Sequence, residues 1–117
     1  MTRGFTVVLG FALLTVGLWG TLTGGHNHTL IIFGINTTHN FVHLASGAFA
    51  ILAAIGGEGT AKTFCWLFGL VYGAVAVAGF LHASWVVALL NLNTADNILH
   101  LIIALNCLFA ASQSKFI

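Results

Sequence analysis

The chain has 117 residues, of which three are basic and two are acidic, so its formal net charge is +1. Charged residues make up 4 % of the chain, against about 25 % in a soluble domain. This composition excludes a water-soluble surface, and the lack of a basic patch excludes nucleic-acid binding through phosphates. Hydrophobic residues reach 59 %, and the mean hydropathy of +1.05 indicates a membrane protein. The length allows one domain, residues 1–117.

A membrane-spanning helix needs about 20 mostly apolar residues. The hydropathy predicts four such helices, at Phe5–Thr21, Thr37–Ile55, Ala61–Leu81 and Thr94–Ala111. Gly24–Gly25 and Gly56–Gly57 mark two breaks between them, and the chain has no proline to kink a span. We therefore predict an all-α fold, a four-helix transmembrane bundle.

The basic residues predict the orientation of this bundle. Arg3, Lys62 and Lys115 fall at the N-terminus, between the second and third spans, and at the C-terminus. Four spans place all three on one side, and the positive-inside rule makes that side cytoplasmic. Both termini are therefore expected in the cytoplasm. The connections 22–35 and 82–92 then face outward, and because they are apolar and short we expect them to lie in the interface or against the bundle.

A polar phrase occurs twice in this apolar chain. Residues 36–44 (NTTHNFVHL) recur as residues 93–101 (NTADNILHL), with Asn, Thr, Asn, His and Leu in identical places. Polar side chains are costly in lipid, so a repeated phrase indicates a use for them. Basic residues, glycines and valines earlier in each half also align. The sequence therefore predicts two tandem helical hairpins, about residues 1–57 and 58–117, related by a pseudo-twofold axis along the membrane normal.

The first residues of each phrase predict helix starts. Asn36 and Asn93 precede apolar helical runs, and asparagine is a preferred N-cap because its side-chain oxygen accepts a free backbone N–H. In the second copy Asp96 falls in the first turn, where a negative charge suits the positive end of the helix. His39 holds that place in the first copy.

The remaining polar residues need another explanation. Asn40 and His43 share one helix face at a spacing of three residues, and so do Asn97 and His100. Each histidine lies two turns below its cap, about 10 Å along the helix. We expect both faces to point into the bundle, with His43 and His100 at equal depth. These four residues are the predicted cofactor-binding residues.

Three interpretations of this polar centre remain open. In the first, the centre is a hydrogen-bonded network that joins the helices and binds no ligand. In the second, His43 and His100 are axial ligands of a tetrapyrrole, either haem b or a chlorophyll-type pigment. In the third, His39, His43, Asp96 and His100 bind zinc or another first-row transition metal, since both pairs have a spacing of four residues. A proton relay is a further alternative.

The rest of the chain suggests no reaction. No Ser/His/Asp set and no glycine-rich phosphate loop is recognisable, so we expect a non-enzymatic protein. Cys65 and Cys107 lie in apolar stretches and are interpreted as buried thiols that act as small hydrophobes. Glycine and alanine are frequent in the third span, which favours close packing in lipid. We therefore expect an accessory or self-assembling subunit whose partners are the lipid bilayer, other membrane subunits or a second copy.

The paired phrases support a resemblance. Asn-x-x-His-Asn-x-x-His-Leu, preceded by Phe33-Gly34-Ile35, and Asn-Thr-Ala-Asp-Asn-x-x-His-Leu resemble an uncharacterised family of small four-span bacterial membrane proteins. The resemblance covers nearly the whole chain. The second small residue of the family's pattern is Gly47 in the first copy, whereas the second copy has Ala104. The resemblance implies the four-span fold of a bacterial membrane protein, and it implies no activity. We expect the protein in a bacterial inner or photosynthetic membrane.

Overall fold

The computed structural model describes residues 2–113, so Lys115, which contributes to the predicted orientation, lies outside the described residues. The predicted all-α fold is confirmed: helices make up most of the described chain, with one small β-hairpin. The elements in chain order are α1 (Thr2–Leu22), β1 (His28–Leu30), β2 (Phe33–Ile35), α2 (Thr37–Gly56), α3 (Glu58–Phe80), α4 (Ser84–Leu90) and α5 (Thr94–Gln113).

Four of these helices are long and apolar enough to cross a membrane. They are α1, α2, α3 and α5, with 20 to 23 residues each, and they confirm the four predicted spans to within a few residues at either end. Large apolar side chains cover the outward faces of all four helices, for example Val8, Phe49, Leu70 and Leu105. A contiguous apolar surface of this extent is typical of a protein embedded in lipid.

The helices begin and end where local side-chain chemistry dictates. Asn36 caps α2, because its Oδ1 accepts the His39 N–H at 2.9 Å. Asn93 and Asp96 cap α5 reciprocally: the Asp96 N–H donates to Asn93 Oδ1 at 2.9 Å, and the Asn93 N–H donates to Asp96 Oδ2 at 3.0 Å. Gly57 separates α2 from α3 with a φ of 119°, a conformation that favours glycine.

The bundle consists of two helical hairpins, in which α1 packs along α2 and α3 packs along α5. Glycine permits the close approach in each. A Cβ on Gly47 would lie 2.8 Å from the Gly10 carbonyl oxygen, and a Cβ on Gly69 would lie 2.8 Å from the Leu108 side chain. The two helices of each hairpin can pack this closely only because these positions carry no side chain.

The connections at one end of the bundle are folded back against it. β1 and β2 form an antiparallel pair in which His28 faces Ile35, and α4 packs beside them; we call this end the β-hairpin end. Ile35 and Leu90 are buried, whereas Ile31 and Trp85 are more than two-thirds exposed. Both connections therefore cover the bundle with one apolar face and present the other outward, as interfacial segments do.

Three asparagine side chains hold the β-hairpin and α4 in place through hydrogen bonds to backbone carbonyls. Asn36 Nδ2 donates to the Leu89 carbonyl at 3.0 Å, and Asn91 Nδ2 donates to the Ile35 carbonyl at 3.0 Å. Asn93 Nδ2 donates to a carbonyl in the turn of the β-hairpin at 2.9 Å. The two capping asparagines thus have a second role, which is to hold the connections over the interior.

Candidate metal centre

Three histidine side chains meet inside the bundle below the β-hairpin end. His39 and His43 come from α2, one turn apart, and His100 comes from α5. The ring centroids are 4.5 Å apart for His39 and His43, 5.4 Å for His39 and His100, and 6.0 Å for His43 and His100. One nitrogen from each ring lies within 4.8 Å of the others. All three side chains are buried, with 1 % to 3 % of their surface exposed.

The His39 ring has a defined orientation. Its Nδ1 lies 2.9 Å from the carbonyl oxygen of Leu90, the last residue of α4. Because a carbonyl oxygen only accepts, Nδ1 carries the hydrogen and donates it, so Nε2 of the neutral ring keeps its lone pair. This Nε2 has no hydrogen-bond partner among residues 2–113. Metal-binding histidines commonly have this arrangement, with one ring nitrogen donating to a carbonyl and the other bound to the ion.

The other two rings also carry nitrogens without partners. Both ring nitrogens of His43 and Nδ1 of His100 have none among the described residues. An unpaired buried polar group costs about 1–3 kcal/mol, and such groups are rare in folded proteins. Here several lie in one place, and a single metal ion would engage a nitrogen from each of the three rings at once.

A small cavity lies against the histidines. Its volume is about 40 Å³, which is sufficient for a water molecule or an ion. Organic ligands occupy sites of about 300–1,000 Å³, so this cavity is far too small for one. The residues that line it are His39, Val42, Ser46, Val71, Tyr72, Val75, Leu90 and His100.

Asp96, the fourth residue of the predicted metal site, is not part of the group of clustered ligand atoms. Its Oδ2 accepts the Asn93 N–H, and a Cβ on Gly34 of β2 would lie 3.1 Å from the same oxygen. The four-residue spacing places Asp96 on the same helix face as His100, but the Asn93 N–H before the helix holds its carboxylate at the cap. The structure therefore brings together three of the four predicted ligands.

Asn40 and Asn97 occupy matched positions in the two hairpins. The Asn40 amide lies against Gly20 of α1, and the Asn97 amide lies against Gly79 of α3; a Cβ on either glycine would overlap the amide. Both side chains are at least 95 % buried, and the amide oxygens of both have no hydrogen-bond partner among residues 2–113. These two predicted cofactor-binding residues therefore lie at helix–helix contacts within their own hairpins.

Tyr72 and Ser46, which border the histidines, were not predicted as site residues from the sequence. The Tyr72 ring centroid is 5.5 Å from that of His100, and its hydroxyl lies near Ser46 without a hydrogen bond of normal geometry among the described residues. One signal was available, because Tyr72 is the only tyrosine of the chain and lies in the middle of an apolar span. The role of the Leu90 carbonyl has no signal in the sequence, because every residue carries a backbone carbonyl.

The other histidines lie apart from this centre. His26 is exposed and His28 is half-buried, and their rings are stacked with centroids 4.3 Å apart. His28 is hydrogen-bonded through Nε2 to the Thr23 hydroxyl at 2.8 Å and through Nδ1 to the His26 carbonyl at 2.6 Å. His82 is exposed beyond the end of α3. These three residues serve as controls for the buried group.

Comparisons with known proteins identify a family and no activity. No curated protein and no solved structure matches the chain. The family described as a domain of unknown function, DUF4383, matches residues 3–112, which is nearly the whole chain and agrees with the resemblance drawn from the paired phrases. The chain therefore belongs to the DUF4383 family of proteins with a domain of unknown function.

Proposed function

We propose that this protein is a non-enzymatic integral membrane protein that binds one transition-metal ion through His39, His43 and His100. The observation that supports the proposal most strongly is the group of three ligand nitrogens within 4.8 Å of one another. The orientation of His39 adds to it, because the hydrogen bond from Nδ1 to Leu90 leaves Nε2 free to accept. A metal ion is the ligand that three converging imidazole acceptors suit best.

The ligand set favours a borderline metal ion. Neutral imidazole suits zinc, copper, iron and nickel, whereas calcium and magnesium prefer oxygen ligands. Three protein ligands leave one position of a tetrahedral ion open, and the cavity beside His39 and His100 has the volume for a water or a small anion there. We therefore propose that the bound ion is zinc or another first-row divalent ion.

A structural network without a ligand is the competing interpretation. Such a network stabilises a membrane protein through interhelical hydrogen bonds of about 0.6–2 kcal/mol each. Its polar atoms would be paired with one another, yet both nitrogens of His43 and one of His100 have no partner among residues 2–113. This arrangement supports the metal interpretation over the network.

A tetrapyrrole between His43 and His100 has less support. The 6.0 Å between these ring centroids suits axial ligation, but the His39 ring lies 4.5 Å and 5.4 Å from them and occupies the space that the macrocycle needs. The adjoining cavity of about 40 Å³ adds too little volume to hold a macrocycle. We expect protein purified from native membranes to be colourless, with no Soret or Q-type band. A band that copurifies with the chain and is lost in His100→Ala would overturn this argument.

The metal proposal is tested by loading the purified protein with Co(II), a spectroscopic substitute for zinc. The protein is prepared without a metal-affinity tag and stripped with a chelator before titration. We expect one ion per chain and the intense visible d–d bands of a tetrahedral site. His26→Ala, which removes an exposed imidazole, is the matched control and is expected to retain both properties. Substoichiometric cobalt, or the weak spectrum of the hydrated ion, would refute the proposal.

A further inference from the structure

Cys65 and Cys107 form a second group of side chains of a type that can bind metals, separate from the histidines. Cys65 lies on α3 and Cys107 faces it from α5, and neither side chain has any exposed surface. Both thiols are free and belong to one buried cluster, and a Cβ on Gly69, one turn after Cys65 on α3, would lie 3.2 Å from the Cys107 Cβ. A third contact comes from α1, where the Thr6 hydroxyl lies 3.5 Å from Cys65 Sγ. Two soft sulfur ligands from different helices therefore converge at one point of the interior.

The two clusters lie on the same helix faces. Cys65 precedes Tyr72 by seven residues on α3, and Cys107 follows His100 by seven residues on α5, so each thiol lies two turns, about 10 Å, from that neighbour and farther from the β-hairpin end. Tyr72 lies between the clusters: its ring packs on His100, and it belongs to the same buried cluster as both cysteines. The Tyr72 residue is 97 % buried. Its hydroxyl has no hydrogen-bond partner among residues 2–113.

One hydrogen-bond direction and the burial of both side chains identify the protonation state of the pair. The Thr6 hydroxyl donates to the Thr2 carbonyl at 2.7 Å, so its oxygen is left to accept the S–H of Cys65. The buried, apolar surroundings of Cys107 disfavour a bare thiolate, so this thiol is protonated as well. A metal ion must therefore displace at least one proton to bind.

We propose that Cys65 and Cys107 bind a soft monovalent cation of the Cu(I) class. Thiolate sulfur selects such ions, and two ligands satisfy their coordination, whereas zinc requires four. No third His, Cys, Asp or Glu joins the pair among the described residues. Two S–metal bonds form and one S–H bond breaks, so one proton leaves and one thiolate, one thiol and the cation make a neutral complex. A neutral complex is the form that an apolar interior tolerates.

Ag(I), which is not oxidised or reduced under these conditions, is the probe for this site. Reduced protein in detergent is titrated with silver nitrate in chloride-free buffer, and the ultraviolet thiolate-to-metal charge-transfer band is followed together with the silver bound per chain. We expect the wild type to develop the band. Cys65→Ser/Cys107→Ser is expected to lose the band and to bind one silver ion fewer, with an unchanged helical circular dichroism spectrum.

The histidine centre and the thiol site are tested independently. His43→Ala/His100→Ala should keep the full charge-transfer band, whatever the outcome of the cobalt titration. A wild-type protein that binds silver without the band refutes the thiol site, and this result does not depend on whether the serine variant folds. Equal silver content in the wild type and the serine variant also refutes it. So does a disulfide in the isolated protein, detected as missing thiols after denaturation.

Discussion

Replacing His43 with alanine is expected to reduce the affinity for Co(II) or zinc by at least about 100-fold. Loss of a residue that only supports a metal ligand costs 10- to 100-fold in affinity, and His43 would itself be one of three ligands. Its two ring nitrogens have no other partner among residues 2–113, so the substitution breaks no hydrogen bond of the fold. Titration followed by the cobalt d–d bands measures the change.

The controls separate ligand loss from damage to the fold. His26→Ala removes an exposed imidazole and should leave the affinity unchanged. Asp96→Asn keeps an oxygen that can cap α5, so it should also retain the metal, because Asp96 Oδ2 accepts the Asn93 N–H and Asp96 is outside the histidine group. If Asp96→Asn loses metal as completely as His43→Ala does, the carboxylate is a ligand and the three-histidine assignment is wrong.

Thermal unfolding distinguishes a metal centre from a structural network. A ligand at 100 times its dissociation constant raises the free energy of unfolding by about 2.7 kcal/mol. Zinc should therefore raise the unfolding temperature of the wild type and of His26→Ala, and leave that of His43→Ala unchanged. In the network interpretation zinc has no effect on any of them, and His43→Ala lowers the stability of the metal-free protein.

Gly79→Ala is expected to destabilise the second hairpin by about 1–2 kcal/mol. The new Cβ would overlap the Asn97 side chain, which is 95 % buried and has little room to move. Overpacking costs about 1–3 kcal/mol, and the higher helix propensity of alanine returns up to about 1 kcal/mol. Equilibrium unfolding in mixed detergent micelles, followed by circular dichroism, measures the free energy of unfolding.

Gly73→Ala is the matched control, since it is the same substitution six residues away on the same helix. Its Cβ would lie 3.6 Å from the Ala104 Cβ, an ordinary contact, so the variant should be neutral or more stable by up to about 1 kcal/mol. Gly20→Ala should behave like Gly79→Ala, because Gly20 meets Asn40 in the same way. If Gly79→Ala and Gly73→Ala have equal stability, the close packing of the Asn97 amide is not what requires glycine there.

Much of the fold could be predicted from the sequence. Hydropathy located the four spans because lipid requires a continuous apolar run of nearly fixed length. The N-caps of α2 and α5 followed from Asn36 and Asn93, since capping depends only on residues within one helical turn. The short helix α4 and the β-hairpin were not predicted as such, because their apolar segments lack a period long enough to identify a helix or a strand. The orientation in the membrane, the duplication and the assembly with partners stay predictions.

The candidate site was predicted only in part. Periodicity placed Asn40 and His43 on one face of α2, and Asn97 and His100 on one face of α5. It did not separate their roles, because a shared face can meet either a neighbouring helix or the centre of the bundle. Both asparagines lie against glycines, and both histidines lie in the central group.

The sequence by itself determined that this protein is an apolar four-span bundle with repeated polar residues in its interior, because helix length, capping and periodicity are local properties. Tertiary structure alone decided that His39 joins His43 and His100 while Asp96 stays at a helix cap. The Leu90 carbonyl orients the His39 ring and the Asn93 N–H holds the Asp96 carboxylate, and the Leu90 contact forms only once α4 has folded back over the bundle. Which nitrogen carries a hydrogen, and therefore which can bind a metal, depends on these neighbours.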